Sequence, residues 1–344
     1  PTVNILLLHI APFVFLGVPG MNERLIKKME QCVKEEYSQL EYDFLGESTL
    51  SEIELIEKCK DVDILISWDQ EMTEKTYSAM NLRAYCAAST GYNAANIDLA
   101  TKYNVVVTNV ANYCAEEVAT HTVTLILACA RKLYKMIPHV KSGGWGTTIL
   151  EPIKRLSGST IGLYGFGHIP KNVARKLMSF DVNILACDPY VNEEEAKKYN
   201  VELVDFDTLL KNSDYLSLHT PLVASTEHIF NENAFSKMKP SSYIINTARG
   251  GLINQSDLYK ALIEGKIAGA ALDVLENEPP KDNDKKIIEL PNTIVTAHSA
   301  FYSQESSESM IKMAAEEVGR VLRSEKPVNI VNPEVLTKIN WLKN

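Results

Sequence analysis

Residues 160–177 read TIGLYGFGHIPKNVARKL, and few stretches restrict a fold so much. An apolar run, Thr160 to Tyr164, enters Gly165-Phe166-Gly167 and passes straight into residues spaced for an amphipathic helix. Gly165 permits a tight turn out of a strand. Gly167 lets the backbone approach a pyrophosphate, whose charge is favoured at a helix N-terminus. Asp188 follows 23 positions after Gly165, at the end of the apolar segment VNILACD. An acidic side chain there accepts hydrogen bonds from ribose hydroxyls and repels a 2'-phosphate, which favours NAD over NADP. The plainer account is a glycine-rich turn followed by a solvated aspartate, and the strand–turn–helix context weighs against it.

Pro170 stands where the Gly-x-Gly-x-x-Gly pattern places its last glycine. That glycine serves close packing of helix on strand, whereas the amides facing phosphate come from Gly167, His168 and Ile169. Proline removes only an N–H that the first helical turn leaves without an intrahelical partner, and its fixed φ suits that turn. The expectation is a small shift of the helix with cofactor binding retained.

The same alternation runs through the rest of the chain. Apolar runs NILLLHI, DILISW, RAYCAAS and VVVTNV alternate with helix-spaced segments through residue 110, and a second series continues through VNILACD, DYLSLH, SYIINT, IAGAALDVL and TIVTAH. This is the pattern of an α/β protein with two doubly wound parallel sheets. A long, mostly apolar helix is expected over 116–137, and another over 304–323.

The 344 residues are 45% hydrophobic and 23% charged, enough for two domains with large cores. A net charge of -9 without a basic patch argues against nucleic acid or an anionic membrane surface as partner. The apolar stretch 4–20 has no basic residue before it and is interrupted by Pro12, so it reads as a buried strand and loop rather than a signal peptide. No other apolar run approaches 18 residues, as a membrane span requires. The six cysteines lack CxxC or disulfide-module spacing, which suggests reduced thiols and a cytoplasmic location. The seven histidines form no short ligand cluster, so no metal is expected.

Three polar residues each follow an apolar strand: Arg249 after SYIINTA, Glu278 after AALDVLEN, and His298 after TIVTA. Singly they read as a loop cation, a solvated turn before Pro279-Pro280, and a hydrogen-bonded histidine. Together they lie where the carboxyl ends of parallel strands border a dinucleotide crevice. Reduction of a 2-oxo acid needs a cation for the carboxylate, a proton donor for the carbonyl oxygen and a hydride source. Arginine grips a carboxylate in two places. Histidine gives and takes a proton near neutral pH.

The segments IGLYGFGHIPKNVARKL, CDPY, LHTPL, INTARGGLIN, GAALDVLENEPP and TAHSAFYSQES, with STGYN and NYCAEEVATHTVTLILACARKL before them, resemble the NAD-dependent D-isomer-specific 2-hydroxyacid dehydrogenases over nearly the whole chain. YCAEEVATH and HSAFYS are most similar to the branch that includes the C-terminal binding proteins, dehydrogenase-like corepressors, so an NAD(H)-responsive interaction protein is the alternative to an enzyme. The resemblance implies a Rossmann nucleotide domain over 109–304, flanked by a split flavodoxin-like substrate domain from 1–108 and 305–344. It implies that Arg249, Glu278 and His298 are catalytic. It also implies that Gly165, Gly167, His168, Ile169, Asp188, Thr220, Pro221, Thr247, Asp273 and Ala300 line the NAD site. The amides of Thr90 and Gly91 would hold the substrate carboxylate together with Arg249. A homodimer packed through the 116–137 helix is implied as well. Two departures are Pro170 and the loop GYNAANID, which is longer than the pattern.

Residues 10–22, 67–72, 88–95 and 110–117, expected to face the substrate, contain no Lys or Arg. A phosphorylated substrate ordinarily needs such a cation. The expected substrate is therefore a small or apolar 2-oxo acid rather than 3-phosphoglycerate, with Phe13, Phe15 or Tyr113 as pocket walls or, equally, as core.

Overall fold

The computed structural model describes residues 3–8, 21–36, 42–47 and 50–342. The chain forms two compact units, Pro1–Cys114 with Ser303–Asn344, and Ala115–Tyr302. In the first unit the elements run β1 (Val3–Leu8), α1 (Met21–Glu36), β2 (Tyr42–Glu47), α2 (Glu52–Cys59), β3 (Ile64–Ser67), α3 (Glu74–Ala79), β4 (Ala84–Ala87), α4 (Ile97–Lys102) and β5 (Val106–Thr108). The strands pair in parallel in the order β2-β1-β3-β4-β5, the flavodoxin-like arrangement. Ile64, Leu65 and Ile66 of β3 are fully buried, as expected of a parallel strand covered on both faces.

The second unit contains α5 (Ala115–Ala130), α6 (Leu133–Lys141), β6 (Thr160–Tyr164), α7 (His168–Leu177), β7 (Asn183–Cys187), α8 (Glu193–Lys197), β8 (Val201–Leu203), α9 (Phe206–Asn212), β9 (Tyr215–Leu218), α10 (Glu232–Lys237), β10 (Tyr243–Asn246), α11 (Gln255–Ile263), β11 (Gly269–Leu272), α12 (Asp282–Ile288) and β12 (Thr293–Val295). Its seven parallel strands take the order β12-β11-β10-β9-β6-β7-β8, a Rossmann sheet whose order reverses between β6 and β9. The chain then returns to the first unit with α13 (Gln304–Leu322). Among the described residues, no helix is long and apolar enough to cross a membrane, and the six cysteines are thiols outside any disulfide.

The structure corrects one expectation. The helix read over 116–137 is two helices, because Lys132 adopts a left-handed backbone (φ 48°) that ends the α5 run, and its ammonium bonds Pro152 O at 2.6 Å. Burial changes at the same place. Val118, Ala119, Thr122, Val123, Leu125, Ile126, Cys129 and Ala130 of α5 are buried, whereas α6 buries none of its residues. The apolar pattern continues across the break, but the surface it covers does not. Phe13 and Phe15 lie outside the described residues. Tyr113 is buried.

Candidate active site

The glycine-rich turn begins at the end of β6, beside the reversal of strand order. Packing fixes it from both sides. Tyr164 packs at a tilt against Phe206 and edge-on against Phe230, with centroids 5.3 and 5.2 Å away, and Phe166, fully buried between the two glycines, meets Tyr199 edge-on at 5.8 Å. Each buried ring contributes roughly 1.5–3 kcal/mol, more than a single backbone hydrogen bond. Gly165 takes φ +94°, and a Cβ there would come within 3.0 Å of His219 O and the Thr220 methyl. Gly167 is the N-cap of α7, with open space where a Cβ would stand. Pro170 is the third residue of α7, buried, and the first intrahelical bond is made one residue later, by Lys171 N to Gly167 O at 3.2 Å. The proline therefore removes an N–H that the helix does not use.

Asp188 accepts hydrogen bonds from Phe166 N at 2.7 Å and Tyr190 N at 2.8 Å. These hold the carboxylate against the turn. Each oxygen retains a lone-pair direction for a hydroxyl donor. At the end of the neighbouring β9, Thr220 Oγ1 and His219 Nε2 are buried without a hydrogen-bonding partner. Burial pushes the His219 imidazole down to about 3, so the ring is neutral. An open cradle at Gly167, an orphaned hydroxyl at Thr220 and a positioned carboxylate at Asp188 fit a dinucleotide.

Strands β10, β11 and β12 are neighbours in register, with Asn246 opposite Leu272 and Leu272 opposite Val295. Their carboxyl ends therefore lie side by side. Beyond β10, the buried Asn246 side chain accepts from Ala248 N at 3.0 Å and donates to Arg249 O at 2.9 Å, closing the turn that carries Arg249. Gly250 touches the next connection so closely that a Cβ would stand 1.9 Å from Leu275 O. Only glycine permits that approach. Leu275 N donates to Glu278 Oε1 at 3.0 Å, and Glu278 Oε2 lies 2.6 Å from His298 Nδ1.

His298 has a left-handed backbone (φ 48°), an uncommon state for a residue bearing Cβ, and its N–H donates to Asp273 O at 2.7 Å. The Asp273 carboxylate, 1% exposed, accepts from Thr296 Oγ1 at 2.5 Å, Ser299 N at 2.9 Å and Ala300 N at 2.9 Å. It thereby fixes the residues on both sides of His298. His121 Nε2 is 3.1 Å from Thr296 Oγ1 and 3.6 Å from Asp273, and Thr247 shares a 2.8 Å hydroxyl pair with Thr122. With Nδ1 tied to Glu278 at 2.6 Å, Nε2 is the ring nitrogen on the side away from that carboxylate.

The structure thus joins Glu278 to His298 directly, and links the Arg249 turn to them through Gly250 and Leu275. Asn246, His121 and Thr296 are not among the residues that the sequence pattern points to. A buried asparagine ending the apolar run SYIIN was the available signal for the first; a helix histidine and a strand-end threonine carry none until folded together.

Thr90 and Gly91 belong to the first unit, in the turn after β4. Ser89 Oγ donates to Gly91 O at 2.6 Å, Asn109 Nδ2 to Thr90 O at 2.8 Å and Thr90 Oγ1 to Val110 O at 3.2 Å. These bonds use carbonyls and side chains and spare the two amides. The long GYNAANID loop is taken up by a 3-10 turn, Asn93–Ala95, ended by Asn96 (φ 47°), whose side chain caps α4.

Residues 123–300 match the family model described as D-isomer specific 2-hydroxyacid dehydrogenase, NAD binding domain. A D-3-phosphoglycerate dehydrogenase of Methanocaldococcus jannaschii is 37% identical over 82% of this chain, which spans only 54% of that protein. A glyoxylate reductase of Korarchaeum cryptofilum is 36% identical over 82% of this chain and 86% of its own length. The crystal structure of D-lactate dehydrogenase from Aquifex aeolicus, complexed with NAD and lactic acid, superposes with a TM-score of 0.82 at 27% identity, covering 96% of this chain and 99% of that one. The chain belongs to the D-isomer specific 2-hydroxyacid dehydrogenase family, NAD-dependent oxidoreductases of 2-hydroxy and 2-oxo acids.

Proposed function

We propose that this chain interconverts a small or apolar 2-oxo acid and the corresponding D-2-hydroxy acid. The observation that carries the reading is the Glu278–His298 pair, 2.6 Å apart, held in a left-handed backbone by a buried aspartate. Arg249 is suited to grip a substrate carboxylate, and the amides of Thr90 and Gly91 are suited to donate hydrogen bonds to one. His298 donates the Nε2 proton to the carbonyl oxygen as it becomes a hydroxyl; in the oxidative direction Nε2 takes that proton back. Glu278 orients the ring through Nδ1. NADH, bound at the glycine-rich turn, supplies the hydride. Gly165, Gly167, His168 and Ile169 take the pyrophosphate, Asp188 the ribose, and Thr220, Pro221, Thr247, Asp273 and Ala300 line the remainder.

In this reading the second unit is the nucleotide domain and the first the substrate domain. A second copy of the chain covers the α6 face, where Leu133, Ile137 and Val140 recur at helical spacing, 43%, 50% and 43% exposed. Cysteines held as thiols rather than disulfides fit a reducing, cytoplasmic compartment. The absence of Lys and Arg from 67–72, 88–95 and 110–117 supports an unphosphorylated substrate. NADH oxidation with pyruvate, glyoxylate, hydroxypyruvate, 2-oxoisocaproate and phosphohydroxypyruvate tests this. The expected preference is for one of the first four, and preference for the last overturns the substrate class. Negligible turnover of every acid despite tight NADH binding would favour an NAD(H)-responsive interaction protein.

A further inference from the structure

The strongest unassigned feature is a chain of polar contacts running from a buried carboxylate on α13 to the exposed turn at Thr90. Its root is Glu317, 2% exposed, on the inner face of α13. Its carboxylate accepts from Arg320 Nη1 at 3.1 Å, Val328 N at 3.0 Å and Asn329 Nδ2 at 3.2 Å. Burial raises the Glu317 carboxyl above the usual range despite these donors. A costly buried acid therefore fixes the start of the 328–332 segment.

That segment pairs with β5. Ile330 bridges Thr108 in antiparallel fashion, Val331 N donates to Val107 O at 2.8 Å, and Asn332, 1% exposed, accepts from Val107 N at 2.9 Å. The last bond of the series is Asn109 N to Asn329 O at 3.1 Å, so the residue whose side chain Glu317 holds is the one whose carbonyl holds Asn109. Asn109 in turn donates Nδ2 to Thr90 O at 2.8 Å. Its backbone is fixed by the C-terminal segment and its side chain holds the Thr90–Gly91 peptide from the carbonyl side. Because a peptide is planar, holding Thr90 O fixes the direction of Gly91 N–H.

We propose that Asn109, with Glu317 behind it, is a positioning residue that aims the Gly91 amide at the substrate carboxylate, so that the C-terminal segment sets affinity for the acid. This rests on the reading of Thr90 and Gly91 as carboxylate donors. Asn109 touches no reacting atom in this account. Its loss therefore changes acid binding while leaving cofactor binding and proton transfer alone.

The test is steady-state kinetics with glyoxylate and NADH, NADH binding by fluorescence and melting temperature, measured on Asn109→Ala, Asn109→Asp, Glu317→Gln and Gly91→Pro. Asn109→Ala should raise KM for glyoxylate about tenfold, with kcat and NADH Kd within about twofold. Asn109→Asp, similar in size but unable to donate, should raise KM at least as much. Glu317→Gln should move KM the same way, by roughly threefold. A merely structural role would lower the melting temperature without this split of KM from kcat. If Gly91→Pro raises KM while Asn109→Ala does not, the positioning role is overturned and carboxylate binding at the turn stands. If neither raises KM, carboxylate binding at this turn fails, and the positioning role with it.

Discussion

His219 shows what one misplaced proton costs. Part of the residue reaches the surface, but its ring nitrogen Nε2 is buried without a partner, and burial takes its pKa from 6.5 down to about 3. Above pH 6.5 the ring is neutral in both folded and unfolded chains, and the group leaves stability unchanged. Below pH 6.5 the unfolded chain takes up a proton that the native state refuses, so stability is lost as pH falls, until the native ring itself protonates near 3. The slope is roughly 1.4 kcal/mol per pH unit through that window. A His219→Gln variant should show a flatter loss of stability between pH 6 and 4 in denaturant titrations; an unchanged slope would mean that the ring is solvated.

At the scale of elements, sequence pattern located most of the fold, and its failures share a cause. Central strands such as SYIINT and DYLSLH are continuous apolar runs because both faces are covered, and they stand out. Strands β2 (YDFLGE) and β8 (VEL) went unread because both are edges of their sheets, short or interrupted by acidic residues, and pair on one side only. The helix over 116–137 was read as continuous because periodicity records which side is apolar, not what that side meets. The places of Arg249, Glu278 and His298 after strands β10, β11 and β12 are legible in the sequence. The 2.6 Å contact between Glu278 and His298 is not, because it depends on the connection after β11 folding back through Leu275. Asn109 was invisible, since its partner Asn329 lies 220 positions away in sequence. The α6 face carries its own prediction: replacing Leu133, Ile137 and Val140 together by serine should convert a dimer to monomer in sedimentation at micromolar concentration. A wild-type chain that is already monomeric there would contradict the dimer.

Across the whole molecule, each unit secures its own candidate residues from within. The second unit carries the glycine-rich turn, Arg249 and the Glu278–His298 pair on the carboxyl ends of one parallel sheet. The first carries the Thr90–Gly91 turn, secured by the chain's own C-terminal segment. What is most specific is the support of His298: a left-handed backbone at one end, Glu278 on Nδ1 at the other, and Asp273 bonding Thr296, Ser299 and Ala300 around it. A histidine that served only packing would have no use for such an arrangement. The direct measurement is kcat for NADH oxidation by His298→Ala against wild type on the preferred 2-oxo acid, with NADH affinity determined on the same samples. The account predicts a fall of about 10²–10⁴-fold in kcat with NADH Kd within a few-fold of wild type. A variant that keeps more than about a tenth of wild-type kcat would contradict the assignment of His298 as the proton donor.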